Sequence, residues 1–154
     1  MSVGELCNRN VVIIEPGASI REAARLMRSA HVGDIVIVEQ RDSQRMPVGM
    51  LTDRDIALEI VAEGLDPGQI SVGEAMSTSV ITAREDEDLV DVVERMRSHG
   101  VRRIPIVNAR GGLEGILAVD DVLELLAEQV NGLVGLVRIE QRQEQERRSP
   151  RRSG

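Results

Sequence analysis

The sequence predicts an α/β fold of the α+β type: two pseudo-symmetric β-α-β-β-α repeats packed sheet to sheet. Three observations carry that expectation. A block of the chain recurs 69 residues later. Each copy contains an apolar stripe at helical spacing. Each stripe is followed by a short run rich in β-branched residues, then a turn segment and a second short apolar run.

The recurrence is direct. Ser2-Val3-Gly4-Glu5 returns as Ser71-Val72-Gly73-Glu74, and Met27-Arg28-Ser29 returns as Met96-Arg97-Ser98. Val32, Ile35, Ile37 and Val38 return as Val101, Ile104, Ile106 and Val107. The register then slips by three residues, so that Gly49, Leu51 and Asp55 match Gly115, Leu117 and Asp121. The slip falls between Glu39 and Val48, where Arg41-Asp42-Ser43-Gln44 reads as a hairpin loop, the place where length changes are tolerated. A fixed internal period is the signature of a duplicated supersecondary unit.

Each repeat opens on a short strand, Val11 to Ile14 and Val80 to Thr82. An amphipathic helix follows. Ile20, Ala23, Ala24 and Met27, then Leu89, Val92, Val93 and Met96, form one apolar stripe each, with Ser19 and Asp88 at the N-cap side. The runs Ile35–Val38 and Ile104–Val107 read as strands. The segments Glu39–Pro47 and Asn108–Gly112 read as turns. Second strands follow at Val48–Leu51 and Leu113–Leu117. Second helices span about Asp53–Glu63 and Val119–Gln129, the first stopped by Gly64 with Pro67 beyond. The expected domains are 2–70, 71–130 and a C-terminal segment 131–154. From Glu140 onward that segment is Arg, Gln, Glu and Ser with Pro150, and reads as a frayed helix end and a disordered tail.

Composition narrows the function. Hydrophobic residues make up 42% of the 154-residue chain and aromatic residues 0%, so the core is aliphatic and no ring is available to stack a base. A net charge of −7 argues against nucleic acid as a partner. The single cysteine, Cys7, forms no internal disulfide and no metal cluster. No apolar run reaches the ~18 residues of a membrane helix, and no signal peptide opens the chain. The expectation is a cytoplasmic protein without a membrane span.

The run Gly49-Met50-Leu51-Thr52-Asp53-Arg54-Asp55-Ile56 resembles the strand-to-helix signature of cystathionine-β-synthase-type (CBS) domains. Val101-Arg102-Arg103-Ile104-Pro105-Ile106-Val107 resembles their second marker. The similarity covers residues 2–130 and is strongest to stand-alone bacterial CBS pairs. It implies clefts between repeats that bind AMP, ADP, ATP or another adenosyl compound as a regulatory ligand, with no catalytic cofactor. It also implies a homodimer acting on an unidentified protein effector.

The candidate site follows from that resemblance and from local chemistry. Thr52 ends a strand where free helix N–H groups suit a phosphate, and Asp55 can accept both hydroxyls of a ribose. Family geometry adds Val80, Ile81, Arg102, Arg103, Ile104 and Pro105, with adenine against Met50, Val80, Ile81 and Ile104. One of Arg102 and Arg103 is expected in the cleft, since strand neighbours face opposite ways. A second, weaker site would use Val11, Val12, Asp34, Ile35, Ile116 and Asp121. It has Ala118 where Thr52 stands and Asp34 where Arg103 stands.

Structural readings stand beside these. Thr52-x-x-Asp55 also fits a capping box. The arginines fit a solvated surface or a dimer contact. His31 and His99 fit helix ends, Cys7 fits packing, and adjacent Asp120 and Asp121 point apart rather than forming a metal pair. There is no glycine-rich phosphate loop with its lysine and no nucleophile–base set. The expectation is therefore a binding module and not an enzyme, with a dimeric adaptor whose clefts are vestigial as the alternative.

Overall fold

The computed structural model describes residues 1–78 and 80–148. They fall into two units, residues 1–118 and the helix that begins at Val119. Both repeats lie in the first unit up to the end of their second sheet. The first repeat contributes α1 (Val3–Leu6), β1 (Ile13–Ile14), α2 (Ile20–Ala30), β2 (Asp34–Arg41), β3 (Gln44–Thr52) and α3 (Asp53–Asp55), which widens into a π-helical segment (Ile56–Val61). The second contributes α4 (Val72–Ala75), β4 (Ala83–Arg84), α5 (Leu89–His99), β5 (Arg103–Val107) and β6 (Leu113–Ala118).

Each repeat builds one three-stranded sheet, in the order β1-β2-β3 or β4-β5-β6. The first strand pairs parallel to the second, and the second antiparallel to the third. The parallel step needs a crossover, which α2 and α5 supply. Local chemistry explains where those helices start. Ser19 accepts the Glu22 N–H at 3.1 Å while Glu22 returns a carboxylate to the Ser19 N–H at 2.8 Å, a reciprocal cap. Asp88 caps α5 from the same position. Ile20, Ala23 and Met27 are buried along α2, whereas Ala24 of the expected stripe is exposed.

Several boundaries differ from the sequence reading. The hairpin arms reach Arg41 and resume at Gln44, leaving a two-residue turn with Asp42 at φ 49° and Ser43 at φ 62°. Two positive φ values in a two-residue loop match the twist of the flanking strands, so the pairing persists through polar residues that read as turn. Val11–Val12 and Val80–Thr82 precede the opening strands rather than forming them. The helix after Thr52 makes one α-helical turn and then switches to i→i−5 bonds, with the Ala62 N–H donating to the Ala57 carbonyl at 2.9 Å.

The repeats exchange their openings. The α1 segment hydrogen-bonds into the second repeat: the Val3 and Gly4 N–H groups donate to the carbonyls of Glu87 and Glu85, each at 3.0 Å. In the mirror arrangement, Val72 and Gly73 of α4 donate to Ala18 at 2.7 Å and Pro16 at 2.9 Å. Val72 is fully buried in the first repeat's core, among Ile20, Ala23, Met27, Ile35, Ile37, Leu51 and Ile60. Folding of one repeat therefore depends on the first turn of the other.

The exchange needs close backbone contact. A Cβ at Gly115 would lie 2.7 Å from the Cys7 sulfur and 2.9 Å from the Asn8 carbonyl oxygen, so only glycine admits that crossing. Gly49 plays the same part against Met76 and Ser77. Between the sheets, Val36, Val38 and Leu113 form a second cluster with Val11, Ile13, Met50 and Ile116 against it. This is the sheet-to-sheet core expected from the repeat.

The long helix α6 (Val119–Arg148) runs unbroken past Gln129, where the second repeat was expected to close. Arg, Gln and Glu are strong helix formers, and Glu144 stands one turn before Arg148, a favourable charge pair. Polar composition here signals solvation of the helix rather than its end. The tail expected to be disordered includes 149–154, which lie outside the described residues.

Candidate functional site

The β3–α3 junction and the segment leading into β5 face one another across a cleft of about 400 Å³. Met50, Thr52, Asp55, Val80, Ile81, Arg102 and Arg103 all line it. These are seven of the nine residues expected of the nucleotide site. The other two do not reach it. Ile104 is fully buried on the opposite side of the strand from Arg103, and Pro105 is buried opposite Ile116 in the β5–β6 ladder.

Strand alternation was also expected to admit only one arginine, and both line the cleft. Arg102 sits in a bend ahead of β5, where the period-2 rule does not apply. Sequence reasoning missed Arg54, Ser77, Gly100 and Val101 on the wall. Ser77 arrives through the exchanged segment, its N–H donating to the Met50 carbonyl at 3.2 Å. Arg54 was legible within the signature run but was given no role.

Thr52 and Asp55 do form the capping box. Thr52 Oγ1 accepts the Asp55 N–H at 3.1 Å, and Asp55 Oδ2 accepts the Thr52 N–H at 2.9 Å. Capping occupies one carboxylate oxygen of Asp55, and both residues of the box line the cleft. The structural and the binding readings of this pair are therefore compatible.

Asp34, named for the weaker site, lies in this first cleft instead. Its Oδ1 stands 3.1 Å from Arg103 Nε, and the two occupy equivalent positions in the two repeats. Burial pushes the Asp34 carboxyl above its ordinary value, the Arg103 guanidinium draws it down, and nearby Asp53 pushes it up. The cleft thus gathers three arginines, at 54, 102 and 103, against two carboxylates, at 34 and 55. It is locally cationic on a chain of net charge −7.

The residues named for the weaker site do not converge in the first unit. Val11 and Ile116 pack together against the inter-sheet cluster. Val12 and Ile35 turn to the core of the first repeat. Adjacent residues on extended backbone face opposite ways, which separates Val11 from Val12 and Asp34 from Ile35. Asp121 belongs to the first turn of α6.

The remaining polar candidates have structural places. His31 caps α2 in the left-handed region at φ 55°. The His99 ring lies 2.9 Å from the Arg95 carbonyl at the end of α5. Cys7 is buried, its thiol pushed up by burial and 3.7 Å from the Gly4 carbonyl, which disfavours the reactive thiolate. Among the described residues, no group of three or more His, Cys, Asp or Glu is arranged to hold a metal ion, and no helix is long and apolar enough to cross a membrane.

Known proteins are similar to this chain in sequence and fold. A family model described as the CBS domain matches residues 3–62 and 72–128. An uncharacterized protein of Methanopyrus kandleri is 36% identical over 125 residues, covering 81% of this chain and 62% of that relative. The chain thus spans less than two thirds of that relative's length. The CBS domain pair of protein MJ0100, solved in complex with 5′-methylthioadenosine and S-adenosyl-L-methionine, superposes with a TM-score of 0.72 at 25% identity, over 84% of this chain and 98% of that one. The cytosolic domain of the Mg²⁺ channel MgtE, solved with ATP, superposes with a TM-score of 0.68 at 28% identity, over 80% of this chain and 48% of that one.

Proposed function

The chain belongs to the CBS-domain family, and from that premise we propose that it is a non-catalytic regulatory module that binds an adenine nucleotide between its repeats. The observation that carries this reading is the make-up of one cleft. Thr52, Asp55 and three arginines meet apolar Met50, Val80 and Ile81 in about 400 Å³, a volume within the range of small-ligand sites. Aliphatic walls accept a base without stacking, the Asp55 carboxylate accepts ribose hydroxyls, and guanidinium groups pair with phosphate. The complexes of two structural neighbours with adenosyl compounds and ATP support the ligand class.

Binding there would bridge β3 of one repeat to the segment before β5 of the other. Ligand occupancy would then stabilise the folded pair by linkage, about 2.7 kcal/mol at 100 times the dissociation constant. Thermal denaturation with AMP, ADP, ATP or NAD reads this directly. The expected result is a rise in melting temperature with at least one adenine compound. No rise with any of them at millimolar concentration sinks the reading.

A second reading, a dimeric adaptor, draws on α6. Leu123, Leu126, Val130, Leu133 and Val137 recur at alternating spacings of three and four, the seam of a coiled coil. The occupant that fits is the same helix of a second copy, running antiparallel. Asp120, Asp121, Glu124 and Glu128 make the first half of α6 acidic without a basic residue, while in its second half Arg138, Arg142, Arg147 and Arg148 outweigh Glu140, Glu144 and Glu146. Parallel pairing would stack carboxylate on carboxylate. The double variant Leu126→Lys/Leu133→Lys is expected to halve the mass seen by sedimentation equilibrium. An unchanged mass removes α6 from the interface.

A further inference from the structure

The cleft contains an anion of its own. Asp34 opens β2 and Arg103 opens β5, and they meet at 3.1 Å on the cleft wall. The Asp34 side chain is only 11% exposed, against 39% for Arg103. A carboxylate so withdrawn from water is poorly screened, and its field on nearby charge is stronger than at a free surface. The other charged groups on this wall are Arg102 beside β5, and Arg54 and Asp55 beyond β3, with Asp53 acting on Asp34 from the same turn.

We propose that Asp34 is a built-in counter-anion that filters ligands of this cleft by charge. It pairs with Arg103 at Nε, so the anionic end of a ligand meets that guanidinium either beside the carboxylate or by displacing it. The inference rests on the nucleotide reading for its ligand class and narrows it. The cleft favours an adenosyl compound of low negative charge and penalises a nucleoside triphosphate.

A specific geometry underlies the penalty. A phosphate close enough to pair with Arg103 Nε must also approach Asp34 Oδ1, which stands 3.1 Å from that atom. Two anions then share one guanidinium edge at low dielectric, and repulsion grows with phosphate charge. Asparagine at position 34 keeps the shape and an oxygen acceptor for Arg103 but removes the competing charge.

The test is calorimetric titration of the full chain, its D34N variant and the D34N/R103A variant with tripolyphosphate, adenosine and ATP. D34N is expected to bind tripolyphosphate and ATP at least about tenfold more tightly than the natural chain, a lower bound set by one unit charge about 4 Å away under nearly aqueous screening. Adenosine, which is uncharged, should gain less. Adding R103A should cancel the gain. Equal affinities of D34N and the natural chain for the two polyphosphates overturn the filter. So does a gain that survives R103A, or a D34N protein that binds neither polyphosphate. Failure of the nucleotide reading looks different: adenosine binds no variant while D34N still gains tripolyphosphate, which retains the filter and removes the adenine.

Discussion

Leu51→Ala is expected to destabilise the fold by about 2–5 kcal/mol, the range for truncating a fully buried leucine. Leu51 is 0% exposed on β3 and packs in the cluster that includes Ile20, Ile35, Ile37 and Val72. The core has no aromatic residue, so its packing depends on many medium-sized aliphatic side chains meeting well. Val72 enters this cluster from the other repeat, and a cavity at Leu51 therefore loosens the exchanged segment as well. Domains of this size have only about 5–15 kcal/mol of net stability, so the loss is a large fraction. Urea unfolding followed by far-ultraviolet circular dichroism reads it, since the chain has neither tryptophan nor tyrosine. A midpoint change worth less than about 1 kcal/mol would show that the cluster collapses around the gap or that Leu51 is not central to it.

Asp55→Ala is expected to abolish the stabilisation that an adenine nucleotide confers, about 2.7 kcal/mol at 100 times the dissociation constant. The variant also loses the carboxylate that accepts the Thr52 N–H at 2.9 Å, a capping contact worth about 1 kcal/mol. The two effects separate experimentally. Loss of the cap lowers the melting temperature of the free protein. Loss of the ribose contact removes the further rise on adding nucleotide. A variant that melts lower but keeps the full nucleotide-dependent rise would identify Asp55 as a cap alone.

That separation matters because the cap and the cleft use the same two side chains. The Thr52–Asp55 box orients the carboxylate through the backbone of its own turn, so the acceptor is set before any ligand arrives. The π-helical widening that follows at Ile56–Val61 begins one residue after this box. Such segments interrupt regular helices, often beside functional sites. Here the regular turn ends at Asp55, a residue of the cleft wall.

The duplication also proves less symmetric in chemistry than in backbone. Equivalent positions 34 and 103 carry opposite charges and face each other. Identical charges there would repel. Their divergence turns a repulsive pseudo-twofold contact into an ion pair, and it places an acid inside the cleft that the sequence marks as complete.

The sequence by itself determined the duplication, the two capped crossover helices, the aliphatic core and most residues of one cleft. Periodicity and local hydrogen bonding suffice for the first three, because cap spacing, apolar stripes and β-branched runs act over a few residues, whereas the cleft residues beyond Thr52 and Asp55 followed from the resemblance to the CBS family. Ser19 with Glu22 and Thr52 with Asp55 are legible for that reason. Only the tertiary structure decided the exchange of α1 and α4, the removal of Ile104 and Pro105 from the wall, the meeting of Asp34 with Arg103, and the turning of Val12 and Ile35 away from Val11 and Ile116. Each depends on which face of the backbone a residue presents and on what another repeat brings within reach. Neither is encoded in local spacing. The duplication therefore governs the scaffold, while the charge inside the cleft comes from where the two copies touch.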